Sequence, residues 1–203
     1  MTTNYIDDMG HEIIDMRSTP EENARKLKSF RFPKAIAKLE QTIVNKVLLN
    51  GFGIMTGCDK NGIKYYYTIG LYCKYQHPEI LMTGSSSHMA EDIFSKAHEI
   101  IRRGGSIRPW TSLPQYLTRV NMKSVAIDAS YYTEFMGYGV WFYKSLGEAR
   151  PDTFPAIQFV WQSVGLGIYP WEDVRPWEDQ QVLCDSQALA QIVKRNAWVR
   201  KIS

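Results

Sequence analysis

Apolar residues recur at helical spacing in some stretches of the chain and at extended spacing in others. Ile36, Leu39, Ile43 and Val47 return every three or four residues, which predicts a helix over residues 34–49 that ends at Asn50-Gly51. A stronger apolar face lies between the serines at 85–87, which suit a helix cap, and Arg102. The pattern therefore predicts two well-defined amphipathic helices.

Extended patterns occupy the stretches between these helices. The β-rich runs 51–57 and 63–70 flank Asn61-Gly62, a pair that favours a hairpin turn. Further strands are predicted over residues 79–83, 123–128 and 154–161. Because strands and helices do not alternate regularly, the pattern predicts a single α+β domain with a mainly antiparallel sheet, flanking helices, and extra N- and C-terminal helices.

The remaining segments are predicted to be connections and extensions. Residues 71–78 are predicted as a loop, and Ser130 is predicted to cap a helix that continues to about Tyr143. We divide the chain into an N-terminal arm and helical extension (1–41), an α+β core (42–175) and a C-terminal helical extension (176–203). Within the extensions, helices are predicted from Thr19 to Phe30 and from Asp185 to about Arg200.

Composition excludes several classes of protein. A chain of 203 residues with 44% hydrophobic and 22% charged residues can bury a substantial core and is not a disordered or fibrous protein. Its three cysteines show no disulfide or metal-ligand spacing, which predicts a reducing, cytoplasmic location. We also expect no metal and no cofactor. We expect no membrane association, because no apolar run reaches the ~18 residues that a membrane span needs.

Charge and known motifs do not indicate a specific activity. The net charge of +3, from 24 basic and 21 acidic residues, disfavours a dedicated nucleic-acid-binding protein. Phosphate-binding glycine loops and the common hydrolase and metalloprotease motifs are absent from the sequence. A basic patch with one aromatic residue is a candidate phosphate contact, and its alternative is a solvated helix end. That patch comprises Arg102, Arg103, Arg108, Lys123 and Trp110.

Polar residues near predicted strand ends supply the candidate chemistry. His77-Pro78-Glu79 sets an imidazole beside a carboxylate, so the two could act as an acid–base pair or could satisfy loop amides. Gln158 lies among apolar strand residues, where a buried amide either orients a ligand or ties the sheet to a loop. Cys73, close to His77, is either a reactive thiol or a packed small residue.

Several segments, taken in order, resemble the successive blocks of the DUF4262 family, a domain of unknown function found in bacteria and some phages. The resemblance covers roughly residues 43–171. It implies a single α+β domain and an intracellular location, and it supplies no established activity or catalytic residues. The segments that carry it are Gly51–Ile54, Tyr67–Leu71, His77–Gly84, Gly137–Tyr143, Phe154–Trp161 and Tyr169–Trp171.

Three functional hypotheses follow, and the leading one is a non-catalytic binding domain for a small polar or nucleotide-like ligand. Its predicted pocket residues are Tyr67, Thr68, His77, Gln158, Trp161 and Trp171. The second hypothesis is a protein-interaction or inhibitor module whose terminal helices contact a partner. The third is a hydrolase or transferase with His77 as base and Glu79 as the residue that orients it. The sequence favours a protein without enzymatic activity.

Overall fold

A computed structural model provides the structure of the protein. It describes residues 5–6, 12–13, 37–113, 120–146, 154–163, 166–172, 180–185 and 187. The helix predicted from Thr19 to Phe30 lies outside the described residues, as do residues 186 and 188–200 of the predicted C-terminal helix. Near the N-terminus, Tyr5–Ile6 pairs antiparallel with Glu12–Ile13.

Among the described residues, five strands form the main sheet, in the order β1-β2-β3-β5-β4. Neighbouring strands are antiparallel except for β3 and β5, which are parallel. This sheet confirms the predicted α+β class and the predicted β1–β2 hairpin. The strands are β1 Gly53–Cys58, β2 Lys64–Ile69, β3 Glu79–Thr83, β4 Met122–Ala126 and β5 Ala156–Trp161.

The α-helices are α1 Lys38–Asn50, α2 Leu71–Tyr75, α3 Ser87–Arg102, α4 Tyr132–Phe135 and α5 Gly137–Ser145. The serine cap predicted for α3 is confirmed, because the Ser86 side chain accepts a hydrogen bond from the Met89 N–H. Helix α1 ends at Gly51, whose φ of 85° lies in the left-handed region that glycine adopts without strain.

Two local predictions were wrong. The segment predicted as a loop contains helix α2, whose first turn donates hydrogen bonds to the Glu79 side chain at the start of β3. Ser130 does not act as the cap, since its own N–H donates to the Asp128 side chain at the start of a 3-10 helix, Ala129–Tyr131. The long helix predicted to follow is divided into α4 and α5 at Met136, where φ is −130° and ψ is 32°.

Helices cover both faces of the sheet. Alternate strand residues point to opposite faces, so Tyr67 and Leu81 pack with α1, α4 and α5, whereas Tyr66 and Met82 pack with α3. On the first face, α5 brings Tyr143 over the start of β3. This arrangement encloses the polar residues at the adjoining ends of β2 and β3.

Candidate functional site

Glu79, the first residue of β3, is fully buried, and its carboxylate accepts hydrogen bonds from three different parts of the chain. The Thr68 hydroxyl of β2 donates to Oε2 at 2.6 Å. The backbone N–H groups of Gly70 and Tyr72, at the start of α2, donate to Oε1 at 2.8 and 3.1 Å. The Tyr143 hydroxyl of α5 also donates to Oε1. The carboxylate thereby supplies the acceptors that the first turn of α2 requires.

Burial dominates the electrostatics around Glu79. It raises the pKa of the carboxyl group above its ordinary value, against the opposing effect of the donated hydrogen bonds. Burial, reinforced by Glu79, also raises the pKa of the Cys73 thiol to about 12. The Cys73 Sγ donates to the Gly70 carbonyl at 3.2 Å. Cys73 is therefore protonated at neutral pH and lacks the thiolate character of a nucleophilic cysteine.

His77 is buried, and both of its ring nitrogens contact backbone groups. The Ile107 N–H donates to Nε2 at 3.0 Å, so Nδ1 carries the proton and donates to the Pro78 carbonyl at 2.7 Å. Burial lowers the pKa of the imidazole to about 4, which keeps the ring neutral. This arrangement corresponds to the structural alternative stated above and weighs against His77 as a general base.

Gln158 uses both ends of its amide inside the protein. Its Nε2 donates to the Gln181 carbonyl at 2.6 Å and to the Thr83 hydroxyl at 3.1 Å, and its Oε1 accepts from the Leu183 N–H at 2.8 Å. The neighbouring Gln180 side chain bonds both backbone groups of Trp161. These amides hold segment 180–185 beside β5, which is the structural alternative stated for Gln158.

Tyr67 and Thr68 also contact groups inside the protein. The Tyr67 hydroxyl accepts from the Tyr138 N–H at 3.3 Å, in the first turn of α5, and burial raises the pKa of this phenol. The Thr68 hydroxyl accepts from the Ile80 N–H at 2.9 Å in addition to donating to Glu79. Both side chains therefore contribute to the hydrogen-bonded interior.

The two remaining predicted pocket residues pack in different places. Trp161 packs against the cluster that α3 covers, whereas Trp171 packs with Val160 and Tyr169 in a separate cluster. Because successive residues of β5 point to opposite faces of the sheet, Val160 and Trp161 lie on opposite sides of it. Ligand binding by the six predicted residues stays a prediction, and the described geometry distributes them over several locations.

A largely buried aromatic cluster surrounds Trp171, and we call Trp110, Lys123, Tyr169 and Trp171 the Trp171 cluster. Tyr169 is buried, and the other three side chains are partly buried. The Tyr169 and Trp171 rings stack with centroids 4.8 Å apart and an interplanar angle of 5°. The Lys123 Nζ lies 4.7 Å from the Tyr169 ring centroid. Within the part of the chain that the structure describes, the buried Trp171 indole N–H has no hydrogen-bond acceptor.

The sequence indicated Trp171 as a pocket residue and Lys123 as part of a basic patch, but it did not predict that the two lie in one cluster. The motif Tyr169-Pro170-Trp171, with two aromatic residues two positions apart, could have indicated the stacked rings. Lys123 was assigned to a basic patch that also includes Trp110, and the structure brings these two residues to the same cluster. Arg102 and Arg103 instead pair with Glu99, at 3.0 and 2.6 Å, on the exposed end of α3.

Metal-ligand clusters and membrane-spanning helices are absent from the described ranges. No group of three His, Cys, Asp or Glu side chains there could hold a metal ion. None of the helices in these ranges combines the length and the apolar character that crossing a membrane requires.

The mostly antiparallel sheet with helices on both faces and an enclosed carboxylate defines a single α+β domain. The sequence model of DUF4262, a domain of unknown function, matches residues 44–176, and the chain belongs to this family. No curated protein and no solved structure matches the chain. Three of the family-like segments supply Thr68, Glu79 and Tyr143, so segments far apart in sequence meet at one buried carboxylate.

Proposed function

We propose that the protein is a non-catalytic binding domain and that its Trp171 cluster binds a small polar ligand with a flat, nucleotide-like group. The observation that carries this proposal is the buried Trp171 N–H, which lacks an acceptor among the described residues. Leaving a buried donor unpaired costs about 1–3 kcal/mol. Because this N–H is buried, a ligand reaches it by displacing a neighbouring group, and an acceptor that the ligand offers there would recover that free energy on binding.

The surroundings of the indole indicate the chemistry of the ligand. The partly exposed Trp171 ring lies flat on the buried Tyr169 ring and provides apolar surface on which an aromatic base can stack. The Lys123 ammonium group, beside the Tyr169 ring, favours an anionic substituent. Together these groups favour a ligand that joins an aromatic ring to a negatively charged group.

The other predicted pocket residues have a positioning role in this proposal. Gln158 holds segment 180–185, which supplies Val182 and Cys184 to the packing around Trp171. Substitution of Gln158 is therefore expected to weaken ligand binding indirectly, through the position of this segment. Tyr67, Thr68 and His77 stabilise the sheet and its loops at a distance from the ligand.

Titration calorimetry with defined probes tests the proposal. The probes are adenosine and guanosine monophosphates, the matching nucleosides and inorganic phosphate, so that ring and anion contributions are separated. Trp171→Phe keeps an aromatic ring and removes the N–H, and we expect it to weaken binding about tenfold. Trp161→Phe, on the opposite side of the sheet, is the matched control and is expected to leave the affinity unchanged.

Thermal unfolding gives a second readout. A probe at a hundredfold excess over its Kd stabilises the folded protein by about 2.7 kcal/mol. The proposal is wrong if none of the probes shifts the melting temperature or gives binding heat. It is also wrong if Trp161→Phe weakens binding as much as Trp171→Phe does.

A further inference from the structure

β1 forms one edge of the main sheet, and this edge is the feature from which we draw a second inference. β1 is a terminal strand of the sheet, and within the described ranges no strand pairs with its outer edge. Its sequence, Gly-Ile-Met-Thr-Gly-Cys, contains no charged residue and no proline. Proteins commonly use lysine or proline to prevent pairing at such edges, so β1 lacks the usual protection.

The hairpin hydrogen bonds define which backbone groups of β1 point outward. The Asp59 N–H donates to the Ile63 carbonyl at 3.0 Å, so these two residues form a hydrogen-bonded pair. In an antiparallel ladder such pairs alternate with non-bonded ones. Cys58, Thr56 and Ile54 therefore direct their N–H and C=O groups away from β2.

The next strand supports this assignment. Lys64 is the partner of Cys58 in the register, and its carbonyl accepts from the Gly84 N–H at 2.8 Å, on the β3 side. The backbone groups of Lys64 thus point away from β1, as a non-bonded pair requires. By the same alternation, the N–H and C=O groups of Ile54, Thr56 and Cys58 point away from β2.

We propose that a second copy of this chain pairs antiparallel with β1, with Thr56 on the two-fold axis. This register sets Thr56 opposite Thr56 of the second copy and Ile54 opposite Cys58 of the second copy. Each of these pairs exchanges two backbone hydrogen bonds. Cross-strand threonine pairs are favourable, and no like charges meet along the strand.

Charge complementarity favours a second copy over an unrelated peptide. In this register Asp59 lies opposite Gly53 of the second copy. The Lys46 side chain lies over Gly53, because a Cβ added to Gly53 would be 3.3 Å from the Lys46 Cβ. Asp59 and Gly53 share the face of the strand on which Met55 packs towards α1. The two-fold axis therefore brings Asp59 of each copy near Lys46 of the other.

Sedimentation of the full chain, up to millimolar concentration, tests the pairing. Thr56→Pro removes the outward N–H and leaves the β1–β2 hydrogen bonds in place, whereas Thr56→Val retains that N–H. We expect Thr56→Pro to raise the dimer dissociation constant at least about tenfold, because both copies carry the substitution and the dimer loses two hydrogen bonds. Thr56→Val should leave the dissociation constant nearly unchanged. Lys46→Glu is expected to weaken the dimer by setting like charges together. Circular dichroism establishes that each variant is folded.

Hydrogen exchange of the unmodified protein provides a test without substitutions. The Ile54, Thr56 and Cys58 amides should exchange more slowly as protein concentration rises, while the Met55 amide, bonded within the sheet, should not change. A chain that is monomeric at all concentrations would overturn the proposal. So would a dimer that Thr56→Pro leaves intact, or exchange at these amides that does not depend on concentration.

Discussion

Replacing Glu79 with alanine should destabilise the protein strongly. The substitution removes the acceptor of the Gly70 and Tyr72 N–H groups, which the backbone holds in place. Each buried N–H left unpaired costs about 1–3 kcal/mol. The Thr68 and Tyr143 hydroxyls can rotate towards other partners, and the unfavourable burial of the carboxyl group is relieved. We therefore expect a net loss of about 3 kcal/mol in the free energy of unfolding.

Urea unfolding followed by circular dichroism measures this loss, and Glu91→Gln on the exposed side of α3 is the control. The control should change stability by no more than about 0.5 kcal/mol. Tyr143→Phe should cost about 1 kcal/mol, and a double-mutant cycle with Glu79→Ala should show coupling between the two residues. A loss below about 1 kcal/mol for Glu79→Ala, with an unchanged urea dependence, would refute the stabilising role of the carboxylate.

The pH dependence of stability tests the same site in a different way. Burial raises the pKa of Glu79, so the folded protein retains this proton at pH values where the unfolded chain has lost it. The contribution of Glu79 to stability is therefore fully present below its unfolded pKa and declines as pH rises through its folded pKa. Glu79→Gln should abolish this decline. An identical pH profile in the variant would contradict the reasoning.

Three further predictions concern other buried groups. Burial lowers the pKa of His77 from 6.5 to about 4, so the free energy of unfolding should fall by roughly 3 kcal/mol as pH drops through that interval. In acid unfolding curves, His77→Gln should flatten this change. Gln158→Leu should cost about 2 kcal/mol in urea unfolding, since the Leu183 N–H loses its acceptor, and an unchanged midpoint would contradict this. Alkylation followed by mass spectrometry should label exposed Cys58 first and Cys73 only on unfolding; early labelling of Cys73 would show that its thiol is accessible.

Three of the family-like segments contact one another at the buried Glu79 side chain. Thr68, Glu79 and Tyr143 belong to different segments and meet in one hydrogen-bonded cluster. Such a cluster fixes the end of the sheet relative to α5, since every buried donor needs an acceptor. The segments that resemble the family therefore contain residues that hold the fold together.

Local patterns were sufficient for the elements whose signals lie close together in the sequence. The α3 helix follows from its apolar spacing and its serine cap, and the β1–β2 hairpin follows from alternation around Asn61-Gly62. In each case, residues within a few positions of one another carry both the pattern and the end signals. The α+β class followed from the order of these elements.

Tertiary structure alone decided the roles of the polar residues. Helix α2 has no local cap and depends on Glu79, which the β2–β3 pairing brings to its first turn. His77 could be assigned as neutral only when Ile107 proved to lie beside its ring. The sequence by itself determined the apolar segments, the five strands of the main sheet and the long helices α1 and α3, but not helix α2 or the division between α4 and α5. Which polar groups meet depended on long-range packing, because a hydrogen-bond partner can come from any part of the chain.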